Sequence, residues 1–231
     1  MSYAPSEDFP ELVETMKRAA GALREADVPF LLGGGMAGWA RGGPPTDHDV
    51  DFLLIERDAE RGQAALADAG FRPQRPPEGW LFKAWDGDVL VDLIFHPSGG
   101  PVDEGYFRRA DEIEVVSQPL LVASIEDVLA TKLLAMTEQE PHYGPVLELA
   151  RALREQVDWD SLRERVAEAP FGAAFLTLAE RLAIAPPEPA ESRFAHAGGA
   201  QSQGPDAHGG GGGVSKSARR VDTARPRRRK R

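Results

Sequence analysis

The run Asp49-Val50-Asp51-Phe52-Leu53-Leu54 constrains this chain more than any other segment. Acidic and apolar side chains alternate over its first four positions, and side chains two apart on a strand share a face. A buried strand over Val50–Ile55, entered through Thr46-Asp47-His48-Asp49, sets Asp49 and Asp51 side by side, with Val50 and Phe52 turned to a core. Neighbouring carboxylates repel, and one of them takes up a proton unless a cation neutralises the pair. Oxygen ligands of this kind suit Mg²⁺ or Mn²⁺. Asp47 has the same parity but sits in the approach to the strand, so it and His48 are read as outer positions behind the pair. Taken alone, an Asp-x-Asp pair is more commonly a solvated loop or a helix N-cap.

Two further features give the pair its context. Asp92 stands alone among apolar residues in Val89-Leu90-Val91-Asp92-Leu93-Ile94-Phe95. A carboxylate in a buried strand is costly unless it is paired or metal-bound. Lys83, across a hairpin, is one available partner; a metal shared with Asp49 and Asp51, beside which the hairpin offers a way to bring it, is the other. Three carboxylates can hold two divalent ions about 4 Å apart, which aligns both ends of a phosphoryl displacement. Upstream, Gly33-Gly34-Gly35 follows a strand and precedes a helix. Free backbone N–H groups and the helix dipole can receive a phosphate there, and glycine lets the backbone come close to it. A three-glycine loop is also an ordinary turn.

The pattern along the chain is that of an α+β protein, a small mixed sheet with flanking helices followed by a helical second half. Apolar spacing predicts helices over Glu7–Ala26, Met36–Arg41 and Ala59–Ala69. Val28–Leu32 reads as a short strand. Trp80–Trp85 and Asp88–Phe95 read as a hairpin about Asp86-Gly87. Pro97–Val116 is looser, with a strand near Ile113–Val116. Ser124 and Asp127 suggest a capping box for a helix over Ile125–Met136, and Tyr143–Arg154, Trp159–Ala167 and Phe171–Leu182 add three more helices. Trp80, Phe82 and Trp85 read as core or cross-strand aromatics, with stacking on a base as the alternative.

Charge is divided unevenly. The chain carries 27 basic and 37 acidic residues, a net charge of −10, but ten of the basic and four of the acidic ones lie from Ala185 onward. That segment holds a five-glycine run and ends in PRRRKR, and it is too poor in apolar residues to offset its ordering entropy. It reads as a disordered, Gly-rich, basic tail over 185–231, either a solvated terminus or an arm for RNA, DNA or an acidic partner. The rest of the chain is strongly acidic, which disfavours nucleic acid as a partner of the folded part. The absence of cysteine excludes a disulfide scaffold, a thiolate metal site and a thiol nucleophile. No apolar run is long enough to span a membrane and no targeting signal is visible, so a cytoplasmic location is expected.

Together, these residues resemble the nucleotidyltransferase superfamily of the DNA polymerase beta type. In that superfamily an apolar residue and a Gly-Gly or Gly-Ser pair precede Asp-apolar-Asp-apolar by roughly a dozen residues, and a third Asp follows on a later strand. Here Gly34-Gly35 precede Asp49-Val50-Asp51-Phe52, and Asp92 takes the third place. Gly34-Gly35-Met36-Ala37, Pro45-Thr46, Ser124-Ile125-Glu126-Asp127 and Lys132 look most like the small bacterial AbiEii-type and minimal nucleotidyltransferases. Gly35 replaces the serine of many relatives. The basic residues usually next to the threonine are missing, Arg41 being the nearest.

The resemblance implies a catalytic core over 1–122, a helical subdomain over 123–184 and the tail beyond. It implies transfer of a nucleoside monophosphate from an NTP, ATP or another ribonucleotide, to a hydroxyl of an RNA, a protein or a small cationic molecule. Asp49, Asp51 and Asp92 would then be catalytic and hold Mg²⁺ or Mn²⁺, while Gly33, Gly34, Gly35, Thr46 and Lys132 would bind nucleotide. A toxin–antitoxin setting is part of the AbiEii-type likeness. The rival expectation is a nucleotide- or partner-binding module that keeps the fold without turnover.

Overall fold

The alternation around Asp49 is realised as a strand. The computed structural model describes residues 8–46 and 49–187. Asp47, His48 and nearly all of the expected tail lie outside the described residues. A helix α1 (Phe9–Glu25) opens the fold, followed by strand β1 (Leu31–Leu32), helix α2 (Gly34–Ala40), strand β2 (Asp49–Leu53) and helix α3 (Glu56–Asp68). Strands β3 (Arg72–Gln74), β4 (Leu81–Asp86) and β5 (Val89–Ile94) come next. Helix α4 (Glu104–Arg109) leads to strands β6 (Asp111–Val115) and β7 (Gln118–Val122). Four helices complete the described chain: α5 (Ile125–Leu134), α6 (Tyr143–Ala152), α7 (Trp159–Val166) and α8 (Pro170–Arg181).

The strands form one mixed sheet in the order β3-β4-β5-β2-β1-β7-β6. Strands β2 and β5 run parallel at its centre, β1 pairs antiparallel with β2, and β7 lies parallel to β1. Along β2, Val50 and Phe52 are fully buried while Asp49 and Asp51 keep partial exposure. Helix α1 turns Phe9, Leu12, Met16, Ala19, Ala20 and Leu23 inward. It packs against β2, β5 and α3, and α3 covers β3, β4 and β5, both on the Val50/Phe52 side. The carboxylates are on the opposite face.

Several boundaries differ from the sequence expectation for identifiable reasons. Strand β1 is shorter than Val28–Leu32. The Val28 N–H donates to the Leu23 carbonyl and closes α1, and Pro29 has no N–H for a ladder. The hairpin loop is Gly87-Asp88, one residue later than expected, because Asp86 pairs with Val89. Gly87 has φ 59°, the positive value that the first position of a two-residue primed turn requires. Asp86 is held in place by Thr15 Oγ1 at 3.0 Å and Arg18 at 2.6 Å. Within Pro97–Val116 a short helix, α4, forms where Asp103 caps the Gly105 and Tyr106 N–H groups at 2.8 and 3.3 Å. The β6–β7 hairpin turns through Val116 and Ser117, both at positive φ. No glycine or asparagine marks that turn, so β7 carried no sequence signal.

The helical half is built around α5, which contacts α2, α6, α7 and α8. Ser124 Oγ accepts the Asp127 N–H at 3.1 Å, as a capping box requires. The Asp127 carboxylate does not complete the box. It is buried and accepts from Ser124 Oγ (2.9 Å), Arg109 (2.8 and 3.1 Å) and Arg165 (2.6 Å), tying α4, α5 and α7 together. Among the described residues no helix is long and apolar enough to cross a membrane.

Candidate functional site

The sheet register brings the three acidic residues together. Asp51 on β2 is directly opposite Asp92 on parallel β5, with Asp49 one same-face step along β2. One carboxylate oxygen from each of Asp49, Asp51 and Asp92 lies within 4.8 Å of the others. The hairpin does not supply this juxtaposition. The β2/β5 pairing does, and the hairpin instead sets Lys83 on β4 opposite Asp92. The Lys83 ammonium donates to both Asp92 oxygens at 3.2 and 3.3 Å. Lys83, one of the two partners that the sequence allowed for Asp92, is thus present, and the carboxylates with which it would share a metal stand beside it.

Crowding of like charge in a poorly solvated place shifts this cluster. Burial, then the neighbouring charges of Asp49 and Asp92, push Asp51 up to about 8. Lys132 and Lys83 oppose that shift. Burial also raises Asp92, against the Lys83 charge that favours its ionised form. A cluster of hard oxygen donors that cannot all ionise without added positive charge is the donor set expected for a divalent cation.

The glycines contact the cluster through what they lack. Gly34 opens α2 at φ +53°, and a Cβ on it would stand 1.7 Å from Asp51 Oδ2. A Cβ on Gly35 would stand 2.5 Å from Thr46 Oγ1. Gly33 donates its N–H to the Asp51 carbonyl at 2.8 Å and lies at the N-cap of α2, where no side chain caps the first turn. The space left at Gly34 and Gly35 therefore lets Asp51 and Thr46 lie against the start of α2. Lys132, in the last turn of α5, is near enough for its charge to act on Asp51.

Other sequence candidates are engaged elsewhere. Arg41 does not face a phosphate site. Its guanidinium donates to the Ala123 and Val122 carbonyls at 2.8 and 3.1 Å and to Asp111 at 2.7 Å, bracing the β6–β7 hairpin. Nothing in the spacing of the sequence distinguished that role. Phe82 packs edge-on against Phe95 and lies beneath Arg75. The Trp85 indole donates to Gln74 Oε1 at 2.9 Å and stacks under Arg72, while Trp80 is exposed.

No family model matches the chain, and no curated protein matches it. Solved structures do. The solution structure of the antibiotic-resistance factor ANT(2'')-Ia is 18% identical and matches with a TM-score of 0.55, covering 81% of this chain and 99% of that one. The crystal structure of ANT(2'')-Ia in complex with adenylyl-2''-tobramycin is likewise 18% identical, at a TM-score of 0.50, covering 71% of this chain and 97% of that one. Identity this low speaks to the fold alone. The mixed α+β sheet with its flanking helices is thus a fold that the chain shares with ANT(2'')-Ia.

Proposed function

We propose that the chain is a metal-dependent nucleotidyltransferase that moves a nucleoside monophosphate from an NTP, ATP or another ribonucleotide, to an acceptor hydroxyl. The observation that carries this reading is the convergence of Asp49, Asp51 and Asp92 within one ligand sphere on a sheet face. In the step, the acceptor oxygen bonds to the α-phosphorus, the bond from that phosphorus to the β-bridging oxygen breaks, and pyrophosphate leaves. Asp49, Asp51 and Asp92 would hold Mg²⁺ or Mn²⁺, which when bound supplies Lewis-acid stabilisation of the phosphoryl oxygens. Asp92 would take the acceptor proton. The Gly34 and Gly35 N–H groups, with Gly33 and Thr46 beside them, receive the triphosphate at the start of α2. Lys132 adds positive charge on the same side, and Asp47 and His48 flank the pair in sequence.

The acceptor is an RNA, a protein or a small cationic molecule. The acidic composition of the folded part and the complex of ANT(2'')-Ia with adenylyl-2''-tobramycin favour the small cationic molecule. The basic terminal segment supports RNA, and the AbiEii-type likeness supports a toxin–antitoxin setting. The Lys83–Asp92 pair and the removal of Arg41 to a structural role favour a second reading, a module that binds nucleotide or a partner without turnover.

Incubation with each α-labelled NTP, Mg²⁺, total RNA and an aminoglycoside panel separates the two. The proposed activity places label on an acceptor, and Asp49→Ala or Asp92→Ala abolishes it. Full incorporation by either variant removes the site assignment. Metal-dependent NTP binding without pyrophosphate release selects the second reading.

A further inference from the structure

We propose that the Lys83 ammonium holds the place of a second divalent ion beside Asp92. In this view the empty-handed protein takes one ion, on Asp49 and Asp51, and admits another only together with a triphosphate. The inference rests on the carboxylates being metal ligands, as argued above, and adds a role for a residue outside that set.

The geometry is a row across three strands. Lys83, Asp92 and Asp51 are successive cross-strand neighbours on β4, β5 and β2. The ammonium reaches both oxygens of Asp92, so both have a cationic partner already. Lys83 is 25% exposed and Asp92 10%, so the pair is screened only in part by water. The backbone of Lys83 cannot withdraw. Strand β4 is paired on both sides, with Gln74 opposite Lys83 on β3 and Asp92 opposite it on β5. The Lys83 carbonyl also accepts from Gln63 Nε2 at 3.3 Å. Only the flexible four-carbon stem is free to swing the charge outward.

Charge matching supports one ion. Lys83 and Lys132 both act on the carboxylates, and two lysines against three carboxylates leave a formal −1. A single divalent ion brings this to +1, and a second to +3, with Lys83 among the nearest cations. Repulsion of that size in a poorly solvated cluster opposes the second ion. The anionic triphosphate restores balance and offers oxygens to both the ion and the displaced lysine.

Equilibrium dialysis and electron paramagnetic resonance of Mn²⁺ test this without any turnover. The wild-type chain should bind one Mn²⁺ alone and a second in the presence of a non-hydrolysable NTP analogue. Lys83→Met should bind two without nucleotide, the second at least about tenfold more tightly than wild type does. Lys83→Arg, which keeps the charge, should return to one. Two ions of comparable affinity in nucleotide-free wild type overturn the proposal, as does a single ion in a folded Lys83→Met. A wild type that binds no Mn²⁺, with or without the nucleotide analogue, strikes down the metal site itself and this inference with it.

Discussion

Asp51→Asn isolates the energetic consequence of placing three carboxylates together. In the fold the Asp51 carboxyl holds its proton up to about pH 8, whereas its ordinary value is 3.8. Between those values the native state binds more protons than the unfolded chain, so stability falls as pH rises through the window and is level above it. Each pH unit is worth about 1.4 kcal/mol, which gives a ceiling of roughly 5–6 kcal/mol. Partial exposure and relaxation of the site around a new charge lower the expectation to about 2–3 kcal/mol. For a chain of this size that corresponds to about 5–10 °C in melting temperature. Thermal melts in EDTA from pH 5 to 9 should therefore show wild type losing this much, while Asp51→Asn, which resembles the protonated acid, loses clearly less across the same range. The two should be similar near pH 5, and the variant should be the more stable at pH 8.5. Mn²⁺ should restore wild type at pH 8.5 and leave the variant unmoved. Lys132→Met should carry the decline to higher pH and deepen it there, because the Lys132 charge favours the ionised form of Asp51. Parallel pH profiles for wild type and Asp51→Asn in EDTA would refute the reasoning.

Gly34→Ala places a Cβ in contact with Asp51 Oδ2 at a positive φ. It should cost about 1–2 kcal/mol from backbone conformation alone and weaken Mn²⁺ binding by moving Asp51, measured by urea denaturation and by metal titration. Asp127→Ala strips the partner from Arg109 and Arg165 in the α4–α5–α7 junction. Both guanidinium groups retain some access to water, so the cost should fall at about 3 kcal/mol, the low end for a broken buried ion pair, read from the urea midpoint.

Much of the site was legible because its signals are local. Alternation over Asp49–Phe52 specifies which side chains share a face, and β2 follows it with buried Val50 and Phe52. The isolation of Asp92 in an apolar run marked it as needing a partner, and Lys83 is one. The amphipathic helices matched their periodicity closely, because a buried stripe repeats every turn wherever the helix is later placed. The elements that were not legible lack such repetition. Strand β3 is a three-residue edge strand containing Pro73 and exposing every side chain. The β6–β7 turn uses Val116 and Ser117 at positive φ without a glycine. Arg41 appeared as a spare cation and is a brace for a hairpin far along the chain.

The division between the two levels is set by distance along the chain. The sequence by itself determined that Asp49 and Asp51 stand on one face and that a glycine turn precedes them, because strand pleat and glycine stereochemistry act over a few residues. Only the tertiary structure decided that Asp92 meets them through the parallel β2/β5 register, that Asp51 lies against Gly34, and that Lys83 reaches Asp92 across the hairpin. A shift of one residue in either register would send the same side chains to the opposite face of the sheet. Register is chosen by burial of the whole α1–α3 side of the sheet, a sum over many residues that no short motif contains.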